Sequence, residues 1–166
     1  ILIAFLTLLI DQVSKIWVKL NMALGESHKV FGMEWFQIHF TENPGMAYGM
    51  ELGGEYGKLI LSSFRIILVC FIAYFIFNLI RKKASFALLA AVTLIFSGAL
   101  GNIIDCVCYG VIFSDSGSFH NPAVATFMPE AGGYASILYG KVVDMLHFPM
   151  IQGHWPESIP YVGGQY

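Results

Sequence analysis

Charge is scarce in this chain. Its 166 residues include nine Lys and Arg and eleven Asp and Glu, 12% of the total, against roughly 25% in a typical soluble domain. With 57% apolar residues and a mean hydropathy of +0.67, a soluble domain of ordinary composition is excluded. The net charge of −2 gives no basic footprint for a nucleic acid. Cysteine is also sparse. Cys70, Cys106 and Cys108 are odd in number and lack CxxC spacing, so they provide neither a disulfide framework nor a zinc or redox pattern. Cys70, inside an apolar run, reads as a small buried hydrophobe. A basic region and a small-residue cleavage site are both missing near Ile1, which argues against a cleavable signal peptide.

What remains is long apolar sequence. Leu59 to Ile80 is 22 residues with a single charge, Arg65. At ~1.5 Å rise per residue that run covers the ~30 Å hydrocarbon core of a bilayer. Phe86 to Ile104 is a second run, enriched in small residues (Ala87, Ala90, Ala91, Ser97, Gly98, Ala99, Gly101) that let helices approach closely, so it is expected to pack against protein more than lipid. The opening ILIAFLTLLI continues through Asp11 to about Val18 as a third. The predicted spans are therefore 1–18, 59–80 and 86–104. Arg81, Lys82 and Lys83 crowd the short connection between the last two, which places that loop in the cytoplasm by the positive-inside rule. Segments 20–58 and 106–166 then lie on the outer side.

Those outer segments change texture. Phe36, Ile38 and Phe40 alternate with polar residues in FQIHF, a short-strand pattern. Gly45, Gly49, Gly53, Gly54 and Gly57 interrupt any regular continuation. Pro122, Pro129, Gly132 and Gly133 mark the 110–140 region as a surface loop. Trp17, Trp35 and Trp155 are candidate interface anchors, and Phe31, Met33, Met46 and Met50 candidate acyl-chain contacts.

Three aspartates sit inside this apolar setting: Asp11 in LLIDQVSKIW, Asp105 in GALGNIID and Asp144 in GKVVDMLHF. Ionisable groups at membrane depth are expensive and point to function. Asp11 and Lys15 are four residues apart, so a helix places them on one face within pairing reach. Asn102 and Asp105, three apart, are likewise neighbours, and must face protein or a wet cavity. Asn43 in TENPGMAY precedes Pro44 and Gly45, a tight turn whose amide offers both donor and acceptor. Asp144, flanked by Val142, Val143, Met145 and Leu146, has the apolar setting that raises a carboxylate pKa toward acid/base work. Two further classes stay open from the residues alone. A small transporter or channel subunit would use Arg65 with the aspartates as a polar path, and a non-catalytic membrane factor would use none of them.

The four segments DQVSK, TENPGMAY, GNIID and GKVVD, in this order, resemble the lipoprotein signal peptidase family, also called signal peptidase II. The resemblance covers most of the chain. It implies a mainly α integral membrane protein: a helical bundle of four spans, three of them in this sequence, with both termini cytoplasmic and a small extracytoplasmic β-cradle. It implies a peptidase of the bacterial inner membrane that works at the periplasmic side. Its substrate is a prolipoprotein, cut on the N-terminal side of a diacylglyceryl-modified cysteine by two aspartates that activate a water. Membrane lipid and globomycin-type peptide inhibitors are the other expected partners, and neither metal nor organic cofactor is expected.

Carried onto this sequence, the family's GxVxD element matches Gly140, Val142 and Asp144, which makes Asp144 the catalytic candidate and 111–139 an insertion. The same element begins to match at Gly110, Val111 and Ile112, but its aspartate position then falls on Ser114, with Asp115 one residue late. Asp11, Lys15, Asn43, Gly45, Asn102 and Asp105 are expected to bind substrate or support the site. The family's usual arginine after the GNxxD aspartate is Cys106 here. Its FNxAD motif, bearer of the second catalytic aspartate, does not occur up to Tyr166, so the chain is expected to be a piece of a longer protein with that partner beyond Tyr166.

Overall fold

The computed structural model describes residues 1–44 and 55–149. Gly45, Met46, Met50 and Trp155 lie outside them. Helix α1 (Leu2–Asn21) buries Lys15, Val18 and Lys19, while Phe5, Leu9, Ile10, Val13 and Trp17 stay exposed around it. Its inward face is thus the polar one, the reverse of a soluble amphipathic helix. Helix α2 (Glu55–Arg81) is followed after a tight turn by α3 (Phe86–Ile104). The turn is made by local chemistry. Lys83 adopts a left-handed φ of 52°, Ala84 N donates to Leu79 O at 3.0 Å, and the Ser85 hydroxyl caps α3 by accepting from Leu88 N.

Among the described residues, two stretches are long and apolar enough to cross a membrane: Gly57–Arg81, with hydropathy 2.4, and Phe86–Ile112, with hydropathy 2.1. Helix α3 packs on both α1 and α2. Its buried residues Thr93, Ser97 and Gly101 recur every four positions and form a narrow stripe. The Ser97 hydroxyl lies 3.4 Å from Ala4 O of α1. At Gly101 a Cβ would run into the Asp11 carboxylate and come within 3.5 Å of the Gln12 amide, so glycine sets how closely α1 approaches. Among the described residues this stripe is the buried part of α3, while Phe86, Leu88, Leu94 and Ile95 are exposed. Cys70 is exposed on α2 rather than buried, because that helix presents most of its circumference outward.

At the far end of α3 the ladder loosens into a π-turn, Asp105–Tyr109, then closes with a helical turn, α4 (Gly110–Ile112). Such bulges redirect side chains and recur at functional sites. The remaining chain builds a three-stranded antiparallel sheet in the order β1 (Ser27–Lys29), β2 (Gln37–Asn43), β5 (Val142–His147). A minimal hairpin, β3 (Gly117–Ser118) with β4 (Asn121–Pro122), lies in the segment between α4 and β5. Strands β2 and β5 pair Thr41 with Asp144, Glu42 with Val143 and Asn43 with Val142, after an irregularity between Ile38 and Thr41. The core sits where helix ends meet the sheet: Val18, Met22, Leu24, Phe40, Tyr109, Phe113, Ala125 and Val143 form one buried cluster. Each large apolar side chain buried there contributes about 1.5–3 kcal/mol.

Candidate active site

Four-residue spacing assembles the site. Asp11, Lys15 and Lys19 share one face of α1, and Gly101 and Asp105 one face of α3, so packing α1 on α3 brings opposite charges together. The Lys15 ammonium lies 2.7 Å from Asp105 Oδ2, 2.9 Å from Asn102 Oδ1 and 3.3 Å from Asp11 Oδ2. The Lys15 side chain is 5% exposed and that of Asp105 is completely covered. A buried ion pair is tolerable only when its remaining donors and acceptors are satisfied. Here Gln12 Nε2 donates to Asp105 Oδ1 at 3.2 Å and to Asp11 Oδ2 at 3.0 Å. The Val143 amide donates to Asp105 Oδ2 at 3.3 Å. Tyr109 OH in turn donates to Gln12 Oε1 at 3.2 Å.

The Val143 contact ties β5 to this cluster and fixes the neighbouring residue. Asp144 lines a pocket of about 330 Å³ together with Asp11, Lys15, Gly98, Asn102, Val143, Met145 and Leu146. The pocket has a polar floor from α1 and α3 and an apolar rim from β5. Asp144 is open to it, yet the surrounding walls strip enough water to raise its carboxyl above the usual carboxylate range. The charges of Lys15 and Arg65 and a hydrogen bond from Asn43 partly offset that rise.

The structure therefore brings together Asp11, Lys15, Asn102, Asp105 and Asp144, with Asn43 reaching Asp144 from β2. Gly45 falls outside the described residues. Asp115, the rival position, stands elsewhere: it pairs with Lys141 at 3.0 Å and does not line the pocket. Arg65 turns toward the π-turn, with Nη1 3.5 Å from Cys106 Sγ. A guanidinium from α2 thus reaches the position following Asp105 from across the bundle. Among the described residues, no group of three or more His, Cys, Asp or Glu is placed to hold a metal ion.

Sequence reasoning passed over Gln12 and Tyr109. Gln12 is adjacent to Asp11 and was readable as a second polar residue in an apolar helix; Tyr109 depends on the π-turn, which leaves no simple sequence signal. It also passed over a second charged cluster. Lys19, fully buried, pairs with Glu42 and donates to the Ser116 hydroxyl at 2.9 Å. Lys141 lies 3.1 Å from the other Glu42 oxygen.

The family model described as signal peptidase (SPase) II matches residues 3–159. A lipoprotein signal peptidase of Porphyromonas gingivalis is 49% identical over 161 residues, covering 96% of this chain and 67% of that protein. Another, from Amoebophilus asiaticus, is 38% identical over 167 residues, covering 99% of this chain and 65% of the relative. The chain spans about two thirds of the length of these relatives. A structure described as a bacterial membrane enzyme, solved by the in meso method at 2.3 Å resolution, superposes with a TM-score of 0.58 at 24% identity, over 93% of this chain and 73% of that one. At that identity the likeness shows the fold alone.

Proposed function

We propose, from the premise that this chain belongs to the signal peptidase II family, that it carries most of the site of a membrane peptidase that removes signal peptides from prolipoproteins. The observation that supports this most is the convergence of Asp144 with Asp11, Lys15 and Asn102 on one pocket where sheet and helices meet. The reading places the pocket at the outer face of a bacterial inner membrane, with α1 as a third span beside α2 and α3 and the three-stranded sheet as a cradle for an extended peptide. The bond cut is N-terminal to a diacylglyceryl-modified cysteine, whose acyl chains remain in lipid. Membrane lipid and globomycin-type peptides are further proposed ligands.

In this reading Asp144 works as one half of a carboxylate pair, its partner supplied from beyond Tyr166. The ionised member takes a proton from water as the oxygen bonds to the scissile carbonyl carbon, and the protonated member gives its proton to the carbonyl oxygen. Collapse of the tetrahedral intermediate breaks the C–N bond, and the leaving nitrogen accepts a proton from the pair. Two close carboxylates suit this exchange because they cannot both ionise cheaply. Lys15 and Asp105 neutralise each other beneath the pocket and supply a fixed floor. Arg65, the residue that favoured a transport path, reaches Cys106 instead.

The deciding experiment incubates full-length protein with a diacylglyceryl prolipoprotein peptide, alongside its Asp144→Asn variant. The expected result is cleavage by the parent and a loss of at least a thousandfold in the variant, in line with removal of a group acting directly on the reacting atoms. Cleavage that survives the substitution would reject the role of Asp144, and an inert parent would reject the peptidase reading itself.

A further inference from the structure

The second charged cluster is built as carefully as the first and lies on the other side of the same strand. Side chains alternate across a sheet, so Thr41, Asn43 and Asp144 share one face of the β2–β5 ladder, and Glu42 points to the opposite one. The Asn43 amide reaches Asp144 diagonally across that ladder. Behind it, the Glu42 side chain is 2% exposed and held from three directions. Lys19 comes from α1, Ser116 Oγ donates to Oε1 at 2.9 Å from the segment between α4 and β5, and Lys141 stands just before β5. Glu42 Oε2 is buried and faces Lys141 with charge pairing alone, without a well-formed hydrogen bond. Tyr134 closes the cluster, with both ammonium groups over its ring at 5.0 and 5.3 Å, and Asp115 pairs with Lys141 on the outer side.

Strand β2 needs such an anchor at this point. Its pairing with β5 shifts between Ile38 and Thr41, and β2 ends at Asn43, where Pro44 has no N–H to extend the ladder. The last residues of β2 are therefore held by their side chains as much as by backbone bonds.

We propose that Glu42 is a positioning residue for the reaction: clamped by Lys19, Ser116 and Lys141, it fixes the end of β2 so that the Asn43 amide stays on the Asp144 carboxylate. The same clamp fastens the part of the 111–139 insertion that carries Ser116 and Tyr134 to α1 and β2. This rests on the peptidase reading only for its kinetic consequence; the Asn43–Asp144 contact is measurable without turnover.

The test is a carbon-13 NMR titration of the Asp144 carboxyl in detergent-solubilised full-length protein, comparing parent, Asn43→Ala, Glu42→Gln and the double variant Glu42→Gln/Lys19→Met. The double variant removes one cation with the anion and guards against misfolding from an unbalanced buried charge. The groups facing Asp144 are Lys15 from α1, Arg65 from α2 and Asn43 from β2, with Asp11 of α1 on the same pocket and the proposed partner carboxylate, with which Asp144 titrates as a pair. None of these is substituted in the Glu42 variants, so their contribution is common to parent and variant. Removing a hydrogen bond to the charged form raises a carboxylate pKa. The Asp144 midpoint is therefore expected to rise by about one pH unit in Asn43→Ala and to rise similarly in either Glu42 variant. Combining Asn43→Ala with Glu42→Gln should add nothing further. In the peptide assay the Glu42 variants should lose about tenfold or more in kcat with little change in KM, because misplacement costs chemistry more than binding. A folded double variant whose Asp144 titrates as in the parent would overturn the proposal, as would full additivity with Asn43→Ala. An inert parent would reject the peptidase reading while leaving the titration to decide this one.

Discussion

At the scale of single residues, the two buried clusters respond to substitution for different reasons. Lys15 and Asp105 are buried; Lys15 donates to Asn102 Oδ1, and Asp105 accepts from Gln12 and from the Val143 amide. Removing one partner leaves a buried charge uncompensated, which costs about 3–5 kcal/mol. Lys15→Met is therefore expected to lower the midpoint of thermal unfolding in detergent sharply, and Lys15→Met/Asp105→Leu to recover part of that loss. A double variant as unstable as the single one would show that the pair holds more than its own charge. Acid acts on a different set. Glu42 is held below the usual carboxylate range by the charges of Lys19 and Lys141, which outweigh its burial, and Asp115 by Lys141. A depressed pKa means that the stabilisation is present above the unfolded value and lost as pH falls through the folded one. Asp144 has the opposite sign. Its raised pKa makes the folded chain favour the protonated form, a contribution present at low pH and lost as pH rises through the folded value. The limbs of the pH–rate profile report the carboxylate pair rather than one residue, and the limb that Asp144 sets should move up in Arg65→Leu, because the Arg65 charge holds Asp144 down. A profile that shifts downward in that variant would contradict the geometry.

At the scale of elements, the sequence carried the helices better than the sheet. The apolar runs at 59–80 and 86–104 correspond to α2 (Glu55–Arg81) and α3 (Phe86–Ile104), differing only at the ends. Length and hydropathy suffice for that, since a span must satisfy its backbone internally. The FQIHF alternation pointed to β2, and GKVVDMLHF allowed either a strand or a turn for what is β5. Their pairing, and the bulge that sets Asn43 diagonal to Asp144, depend on contacts between residues a hundred positions apart. The π-turn at Asp105–Tyr109 was equally unreadable, because nothing in DCVCY distinguishes it from ordinary helix. Asp11 with Lys15, and Asn102 with Asp105, were legible as same-face pairs from spacing alone; that Asp11, Asn102 and Asp105 all meet at the Lys15 ammonium required the α1–α3 contact. Gly101 makes that contact possible, and it offers the sharpest test at this scale. Gly101→Val forces side-chain atoms into the space held by the Asp11 carboxylate and the Gln12 amide, so α1 must tilt away. The expected outcome is a loss of about 1–3 kcal/mol from overpacking and a fall in peptide cleavage beyond what stability explains. Gly98→Ala, where a Cβ meets open space, is the matched control and should leave the unfolding midpoint near that of the parent.

At the scale of the whole molecule, the distribution of apolar and charged surface makes a topological statement. Helix α1 exposes Phe5, Leu9, Ile10 and Val13 and hides its lysines, while α2 and α3 expose apolar side chains along most of their length. Water is the wrong surrounding for such a surface, and a bilayer the right one. Arg81, Lys82 and Lys83 mark one end of the α2–α3 hairpin. The sheet, the exposed Phe31 and Trp35 of its β1–β2 connection, and the pocket stand at the other end, where Lys58 Nζ donates to Tyr139 O at 2.6 Å and Ser62 Oγ to Leu138 O at 3.2 Å near the start of α2. If the basic turn is cytoplasmic, as proposed from its charge, Lys82→Cys should react with a membrane-impermeant maleimide only after the inner face of the membrane is opened. Ser27→Cys, on the edge strand β1, should react in intact spheroplasts. Labelling of both from the same side would break the proposed orientation. Labelling in the reverse pattern would put the Asp144 pocket on the cytoplasmic face, out of reach of the substrate proposed for it.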